Sequence, residues 1–276
     1  MIKDIVLNLA VDKERDAARD YAFSFARALD AHLTGVAFAY EPIAPGTIFD
    51  GVSDAIIATQ RATNEEAARK AAKTFDEMAR QAAVSAEARV LSASAAGCGE
   101  VFGQLARRYD LSVVGQIQPD GGFPQDLIVE AALFDSGHPM LVVPYIQAEP
   151  FKLDRVLLCW DGSRSAARAI SDALPLIVRA KSIEVVSIAA KDDKRDEVPG
   201  ADIAHHLARH RLKVELKRII APDTEVADTI LSYVADTATD MIVMGGYGHS
   251  RLREFLLGGA TRAMLASMTV PTFMSH

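Results

Sequence analysis

The sequence contains little of what marks several large classes of protein. Cysteine is rare: Cys98 and Cys159 are the only two in 276 residues, one in each half, so a disulfide framework and a cysteine-based zinc site have no support. Basic residues are not in excess, since 30 Lys and Arg stand against 37 Asp and Glu, a formal charge of −7. This balance argues against nucleic acid and anionic membranes as partners.

Long apolar runs are absent as well. No stretch of about eighteen apolar residues suggests a membrane span, and the N-terminus becomes charged after a few apolar residues, which does not fit a signal peptide. Together with the scarcity of cysteine, these features predict a cytoplasmic protein.

Several motifs of well-known enzymes are missing too. The sequence contains no G-x-x-x-x-G-K-[ST], G-x-G-x-x-G, H-E-x-x-H or G-x-S-x-G. It therefore offers no motif for a P-loop ATPase, a dinucleotide dehydrogenase, a zinc metalloprotease or an α/β-hydrolase.

One stripe of side chains has the chemistry for metal binding. Asp202, His206 and His210 are four residues apart, which places them along one face of a helix, and all three side chains can ligate zinc. The neighbouring Ile203 and Leu207 favour a simpler interpretation, in which the stripe is the solvated side of an amphipathic helix.

The main positive feature is an internal repeat. Each half opens with a short β-branched run, "IKDIVLNLA" or "LDRVLLCW", followed by an Ala-rich helical pattern and a second apolar run. Strand-like and helix-like segments then alternate to the end of each half, which favours parallel strands with helical crossovers. We predict two tandem α/β domains, residues 1–148 and 149–276, each an open, mostly parallel five-stranded sheet flanked by helices. The segment 41–64, with Pro and Gly early, is predicted as a long loop with a short helix.

A glycine-rich segment near the C-terminus is the strongest functional signal. Gly245 and Gly248 follow a predicted strand, at the sheet edge where open parallel sheets bind ligands, and glycine there permits positive φ and close approach of a ligand. Gly258 and Gly259 precede a helical pattern whose first N–H groups can bind an anion. The segment therefore predicts a phosphate site.

The spacing of these glycines resembles the nucleotide-binding signature of the universal stress protein family: glycine, two residues, glycine, nine residues, glycine and a small or hydroxylated residue. The strand ending "LLCWDGSRSA" and the closing "VPTFMSH" are also similar to that family. The resemblance covers nearly the whole chain as two consecutive domains. It implies a Rossmann-like fold of the adenine nucleotide alpha hydrolase type that binds ATP, ADP or AMP, with or without Mg²⁺.

The resemblance also implies which residues hold the nucleotide. Trp160 and Asp161 are expected near the adenine, with Ala189 after the second strand, and the glycine segment is expected to hold the ribose and phosphates. The implied residues of that segment are Met244, Gly245, Tyr247, Gly248, Gly258, Gly259, Ala260 and Thr261. Many ATP-binding members have Ser or Thr where this chain has Gly259, so we expect weakened binding, by the roughly 0.5–1.5 kcal/mol of a lost neutral hydrogen bond.

The first half departs further from the family pattern. Gly115 ends its corresponding strand without properly spaced glycine partners, Asp126 and Leu127 stand near the positions of Gly258 and Gly259, and Asp12 is an uncertain counterpart of Asp161. We predict one nucleotide site per chain, in the C-terminal domain. The N-terminal domain is expected to be its partner in an intramolecular pseudo-dimer, and a homodimer remains open.

Three functions follow from this sequence. The favoured one is a binding module that acts as a stress-response sensor or interaction module through an adenine nucleotide. The second is a slow ATPase or phosphotransferase that uses the same pocket, with Asp161 holding Mg²⁺ and His249 assisting. The third is a nucleotide-free interaction scaffold, which the glycine at position 259 and the degenerate first half would suit.

Overall fold

A computed structural model describes residues 1–11, 13, 15–42, 54–118, 124–189, 200–221, 224–246 and 259–276. Strands and helices alternate along these residues. In the first half they are β1 (Asp4–Asn8), α1 (Ala17–Leu29), β2 (His32–Glu41), α2 (Asp54–Gln81), β3 (Ala86–Ser94), α3 (Cys98–Ala106), β4 (Leu111–Gly115), α4 (Gln125–Phe134) and β5 (Met140–Val143). In the second half they are β6 (Arg155–Cys159), α5 (Arg164–Ile177), β7 (Ser182–Ala189), α6 (Ala201–Arg209), β8 (Glu215–Ile220), α7 (Val226–Thr237), β9 (Met241–Gly245), α8 (Gly259–Ser267) and β10 (Thr272–Ser275).

The chain divides into two compact units. One comprises Ile2–His138 and Ala148–Phe151, and the other comprises Met1, Pro139–Gln147 and Lys152–His276. Phe151 belongs to the first unit because its ring packs edge-on against Phe25, with centroids 4.9 Å apart, and its N–H donates to Ser24 Oγ at 2.7 Å. The boundary predicted at residue 148 falls in this connecting stretch.

The first unit contains a parallel sheet with the strand order β3-β2-β1-β4. Its central strand β1 is a β-branched and leucine run, and Ile5, Val6 and Leu7 are fully buried, as expected for a strand covered on both faces. Asp16 begins α1 by accepting a hydrogen bond from the Arg19 N–H, which is the usual role of an aspartate at this position.

The second unit has the strand order β5-β10-β9-β6-β7-β8. Its strands are parallel except for β5, which runs antiparallel to β10 and pairs Leu141 with Phe273. The predicted α/β fold with a mostly parallel sheet flanked by helices is thereby confirmed. None of the helices in the described ranges combines the length and hydropathy needed to cross a bilayer.

The predicted repeat extends to single carboxylates. Asp240, just before β9, accepts hydrogen bonds from the N–H groups of Asp154 and Arg155 at 2.8 and 2.9 Å, and so ties β9 to the start of β6. Asp110, just before β4, does the same for β1, accepting from the N–H groups of Lys3 and Asp4 at 2.7 and 3.0 Å.

Helix α2 is longer than the sequence pattern indicates. Residues 54–64, predicted as part of a loop, form its first three turns, while residues 43–53 lie outside the described part. Thr59 and Thr63 turn their hydroxyls back onto the carbonyls of Ala55 and Thr59, so these β-branched polar residues are accommodated inside the helix. Its Ala, Gln and Arg residues are good helix formers and outweigh the threonines.

Candidate functional site

A cavity of about 360 Å³ opens at the carboxyl ends of β6, β7 and β9. Its walls come from these strands and from α5, α7 and α8. The lining residues are Cys159, Trp160, Asp161, Ala166, Val186, Ile188, Val226, Ile230, Met244, Gly245, Gly259, Ala260 and Thr261. This is the edge of a parallel sheet at which ligands bind in open α/β folds.

The turn from β6 into α5 is held by its own polar groups. Gly162 has φ +77°, a left-handed conformation that glycine adopts without steric cost. The Asp161 carboxylate accepts from the Ser163 N–H at 2.9 Å, and Ser163 Oγ accepts from the Ala166 N–H at 3.1 Å, which caps α5. The turn thus holds the exposed Asp161 carboxylate at the cavity wall.

Trp160 is tied to the neighbouring strand. Its N–H donates to the Val186 carbonyl at 2.8 Å, and its carbonyl accepts from Ser187 Oγ at 3.0 Å. These two bonds continue the β6–β7 pairing past the end of β6, so the backbone at Trp160 is fixed against the cavity.

Gly245 has a different role from the one predicted. Its φ is not positive. A Cβ at this position would lie 2.5 Å from the Ala166 nitrogen and 2.7 Å from Ser165 Oγ. Glycine is needed here because β9 packs directly against the first turn of α5, and it is this packing that brings the two elements to one cavity.

The start of α8 faces the cavity from the other side. Gly259, Ala260 and Thr261 are the first residues of α8 in the described part of the chain, and all three line the cavity. Among the described residues, none lies within 4 Å of where a Cβ at Gly259 would be. The described end of α8 therefore meets the cavity with little side-chain bulk at Gly259.

Apolar side chains form the rest of the wall. Val186 and Ile188 are alternate residues of β7 and share one face of the sheet, and Val226 and Ile230 are one turn apart on α7. Burial raises the pKa of the Cys159 thiol to about 12, and the nearby Asp161 carboxylate adds to this shift. Cys159 therefore contributes an apolar, protonated group to this wall at neutral pH.

Comparison with known proteins identifies the part of the chain that carries this cavity. Residues 152–276 match the model of the universal stress protein family. Residues 152–276 belong to the universal stress protein family. A universal stress protein from Synechocystis sp. is 22% identical over 169 residues, covering 59% of this chain and only 56% of that relative.

Solved structures extend the similarity in fold to the whole chain. A universal stress protein from Archaeoglobus fulgidus superposes with a TM-score of 0.67 at 14% identity, covering 98% of this chain and 97% of that one. A candidate universal stress protein from Pseudomonas aeruginosa gives a TM-score of 0.60, also at 14% identity, with coverages of 99% and 93%. At this identity the comparison concerns the fold alone.

Most of the predicted ligand residues of the universal stress protein domain lie together. Seven line the cavity: Trp160, Asp161, Met244, Gly245, Gly259, Ala260 and Thr261. Ala189 ends β7 one residue beyond Ile188 and is not part of the lining. Tyr247, Gly248 and Gly258, together with His249, lie outside the described residues.

Six lining residues were missed by the sequence analysis: Cys159, Ala166, Val186, Ile188, Val226 and Ile230. Those on β7 and α7 follow the ordinary periodicity of buried residues, so nothing in the sequence separates cavity wall from core. One signal was available from the universal stress protein fold, in which β7 lies beside β6. Parallel neighbours end at the same sheet edge, so the end of β7 could be expected to line the cavity.

The first half differs from the universal stress protein domain at the matching sheet edge. Gln125 is the first residue of α4, the helix that follows β4 as α8 follows β9. Its side chain accepts from Asn8 Nδ2 at 3.1 Å and donates to the Gly115 carbonyl at 3.0 Å, so it bridges the ends of β1 and β4. The first half thus closes the gap between these strand ends with a side chain from the start of α4.

Proposed function

We propose that the chain binds an adenine nucleotide in its C-terminal universal stress protein domain and acts as a stress-response sensor or interaction module. The observation that carries this proposal is the convergence of three separate segments, around Trp160, Gly245 and Gly259, on one cavity. These segments are the ones in which the family's nucleotide signature is found.

The walls of the cavity suit the two ends of a nucleotide. The aliphatic side chains of Val186, Ile188, Val226 and Ile230 supply an apolar surface for a flat base. The α8 residues Gly259 and Ala260 line another part of the wall, where we expect the phosphates to lie. The exposed carboxylate of Asp161 is suited to a Mg²⁺ ion that accompanies ATP or ADP.

We also propose that one nucleotide binds per chain and that the first half is its pseudo-dimer partner. The Gln125 bridge supports the first point, because it fills the matching region of the first half. The antiparallel pairing of β5 with β10, the last strands of the two halves, supports the second. Both cysteines are free, which fits the reducing cytosol as the proposed location.

A tryptophan placed at the cavity wall tests the nucleotide proposal. Val226 lines the cavity and is 44% exposed, so Val226→Trp can fill the cavity without disturbing the core. Val178, the C-terminal cap residue of α5 in the same unit, is 54% exposed and does not line the cavity, so Val178→Trp is the matched control.

The measurement is the nucleotide released when freshly purified protein is denatured, identified by chromatography and quantified per chain. We expect an adenine nucleotide in the wild type and in Val178→Trp, and almost none in Val226→Trp. Absence of nucleotide from all three, with no binding of added millimolar ATP and Mg²⁺, would refute the proposal and leave the nucleotide-free scaffold.

A further inference from the structure

The end of α6 carries a pair of histidines that the nucleotide proposal does not use. His206 and His210 are four residues apart, both are exposed, and their rings lie 4.9 Å apart between centroids with an interplanar angle of 61°. The neighbouring face of the helix is anchored by the buried Ile203 and Leu207, while the side chains of His206 and His210 are exposed. Cations in solution can therefore reach both imidazoles.

We propose that His206 and His210 form a two-histidine binding site for a borderline divalent cation such as Zn²⁺. Two histidines one helical turn apart are a known zinc-binding arrangement. The separation of the rings fits such a site: two imidazoles bound through nitrogen to one tetrahedral ion, at Zn–N distances of about 2.0–2.1 Å, have centroids about 5 Å apart. Water completes the coordination, because among the described residues no group of three potential ligands is present.

The proposed site contains fewer residues than the stripe of Asp202, His206 and His210 seen in the sequence. Eight residues of helix span about 12 Å, so Asp202 and His210 cannot bind the same ion. One oxygen of Asp202 also accepts a hydrogen bond from the Ile203 N–H at 2.8 Å. The two histidines are therefore the pair that the geometry favours over Asp202 and His206.

The position within the helix adds a second, electrostatic reason. His206 lies in the last turn of α6 and His210 is its C-terminal cap residue. The partial negative charge at a helix C-terminus stabilises a cation bound there. A bound ion would also hold the last turn of α6 in place through two side chains.

Titration of the untagged full-length protein with Zn²⁺ by calorimetry tests this site. We expect His206→Ala and His210→Ala each to weaken Zn²⁺ binding about tenfold or more, since each leaves one histidine ligand. His205→Ala is the matched control, because His205 is an exposed histidine about 100° around the same helix, and it should bind as the wild type does. Asp202→Asn should also bind as the wild type.

Thermal unfolding gives an independent readout. Zn²⁺ should raise the midpoint of thermal unfolding of the wild type and of His205→Ala, but not that of His206→Ala or His210→Ala. Without metal, all four proteins should unfold at the same midpoint. Equal Zn²⁺ affinity in all variants, or no measurable Zn²⁺ binding by the wild type, would overturn the proposal. These outcomes do not depend on whether the nucleotide proposal holds.

Discussion

At the scale of single residues, the glycines of the candidate site have different physical roles. Gly245 makes room for the backbone of α5, with the Ala166 nitrogen 2.5 Å from where its Cβ would be. Gly162 is needed for its positive φ. At Gly259, no described residue lies within 4 Å of where a Cβ would be, so none of them requires glycine there.

Gly245→Ala should destabilise the protein, because the added methyl group meets backbone that cannot move aside. We expect a loss of about 1–3 kcal/mol in the free energy of unfolding, as for other overpacked sites. Gly115, the residue that ends β4, is the matched control: a Cβ there would meet Ala18 Cβ at 3.8 Å, an ordinary contact. Urea denaturation of both variants checks this, and equal stabilities would show that α5 yields to the methyl group.

Gly259→Ser should strengthen nucleotide binding. The position has room for a side chain among the described residues, and serine restores the hydroxyl that many ATP-binding relatives have. One added neutral hydrogen bond of about 0.5–1.5 kcal/mol corresponds to about a two- to tenfold lower Kd for ATP. Calorimetry on nucleotide-free protein measures this Kd. Gly259→Ala is the control, because it adds a helix-stabilising side-chain carbon without the hydroxyl. Equal affinities of the serine and alanine variants would contradict a hydroxyl contact with the phosphates.

At the scale of helices and strands, local pattern predicted most elements because it agreed with the packing. The strands β1 and β6 are short apolar runs, and the start of α5 follows a serine cap. The short helix predicted within 41–64 was not expected to continue into α2, because its threonines are weak helix formers whose hydroxyls bond back to the backbone. Val226 and Ile230 were missed as cavity wall because only tertiary packing decides whether an apolar helix face meets protein or empty space.

A buried carboxylate connects the strand and the helix that form two walls of the cavity. Glu184 of β7 is 8% exposed and accepts a hydrogen bond from the Tyr233 hydroxyl of α7 at 2.8 Å. Burial raises the pKa of Tyr233 to about 12, and the bond to Glu184 adds to the shift. This bond requires the phenolic proton, so it depends on pH.

Tyr233→Phe should lower the free energy of unfolding by about 1–3 kcal/mol at pH 7.5, since a buried carboxylate loses its donor. The pKa of Tyr233 is raised in the folded state above the unfolded value of about 10. Its contribution is therefore fully present below pH 10 and is lost as the pH rises through about 12. Urea denaturation of both proteins from pH 7.5 to 11.5 should show their difference shrinking above pH 10. A difference that stays constant would mean that the tyrosine stabilises by packing alone.

At the scale of the whole molecule, the two halves share a chain path and differ in chemistry. Asp110 and Asp240 make the same pair of backbone hydrogen bonds in each half, so the repeat preserves what holds the sheet together. The helix after the fourth strand of each half begins with Gln125 in one and with Gly259 in the other. The sequence analysis expected the missing glycines of the first half, but it did not identify Gln125 as the residue that closes it. That closure depends on how far apart β1, β4 and α4 lie in the fold. The spacing of residues along the sequence does not give these distances.

Binding should saturate at one adenine nucleotide per chain. Equilibrium dialysis with labelled ATP against wild type, Val226→Trp and Val178→Trp measures the stoichiometry of the full-length protein. We expect about one nucleotide per chain for the wild type and for Val178→Trp, and near zero for Val226→Trp. A value of two in the wild type would show that the Gln125 bridge opens to admit a second nucleotide.

The Gln125 bridge also has a consequence for how the protein would report nucleotide levels. In a monomer, a chain with one open site has no second site with which to act cooperatively, because the Hill coefficient cannot exceed the number of coupled sites. Its occupancy would follow a simple hyperbola, rising from one tenth to nine tenths over about an 80-fold range of free nucleotide. The occupancy of such a chain would respond gradually to nucleotide concentration and would not switch at a threshold.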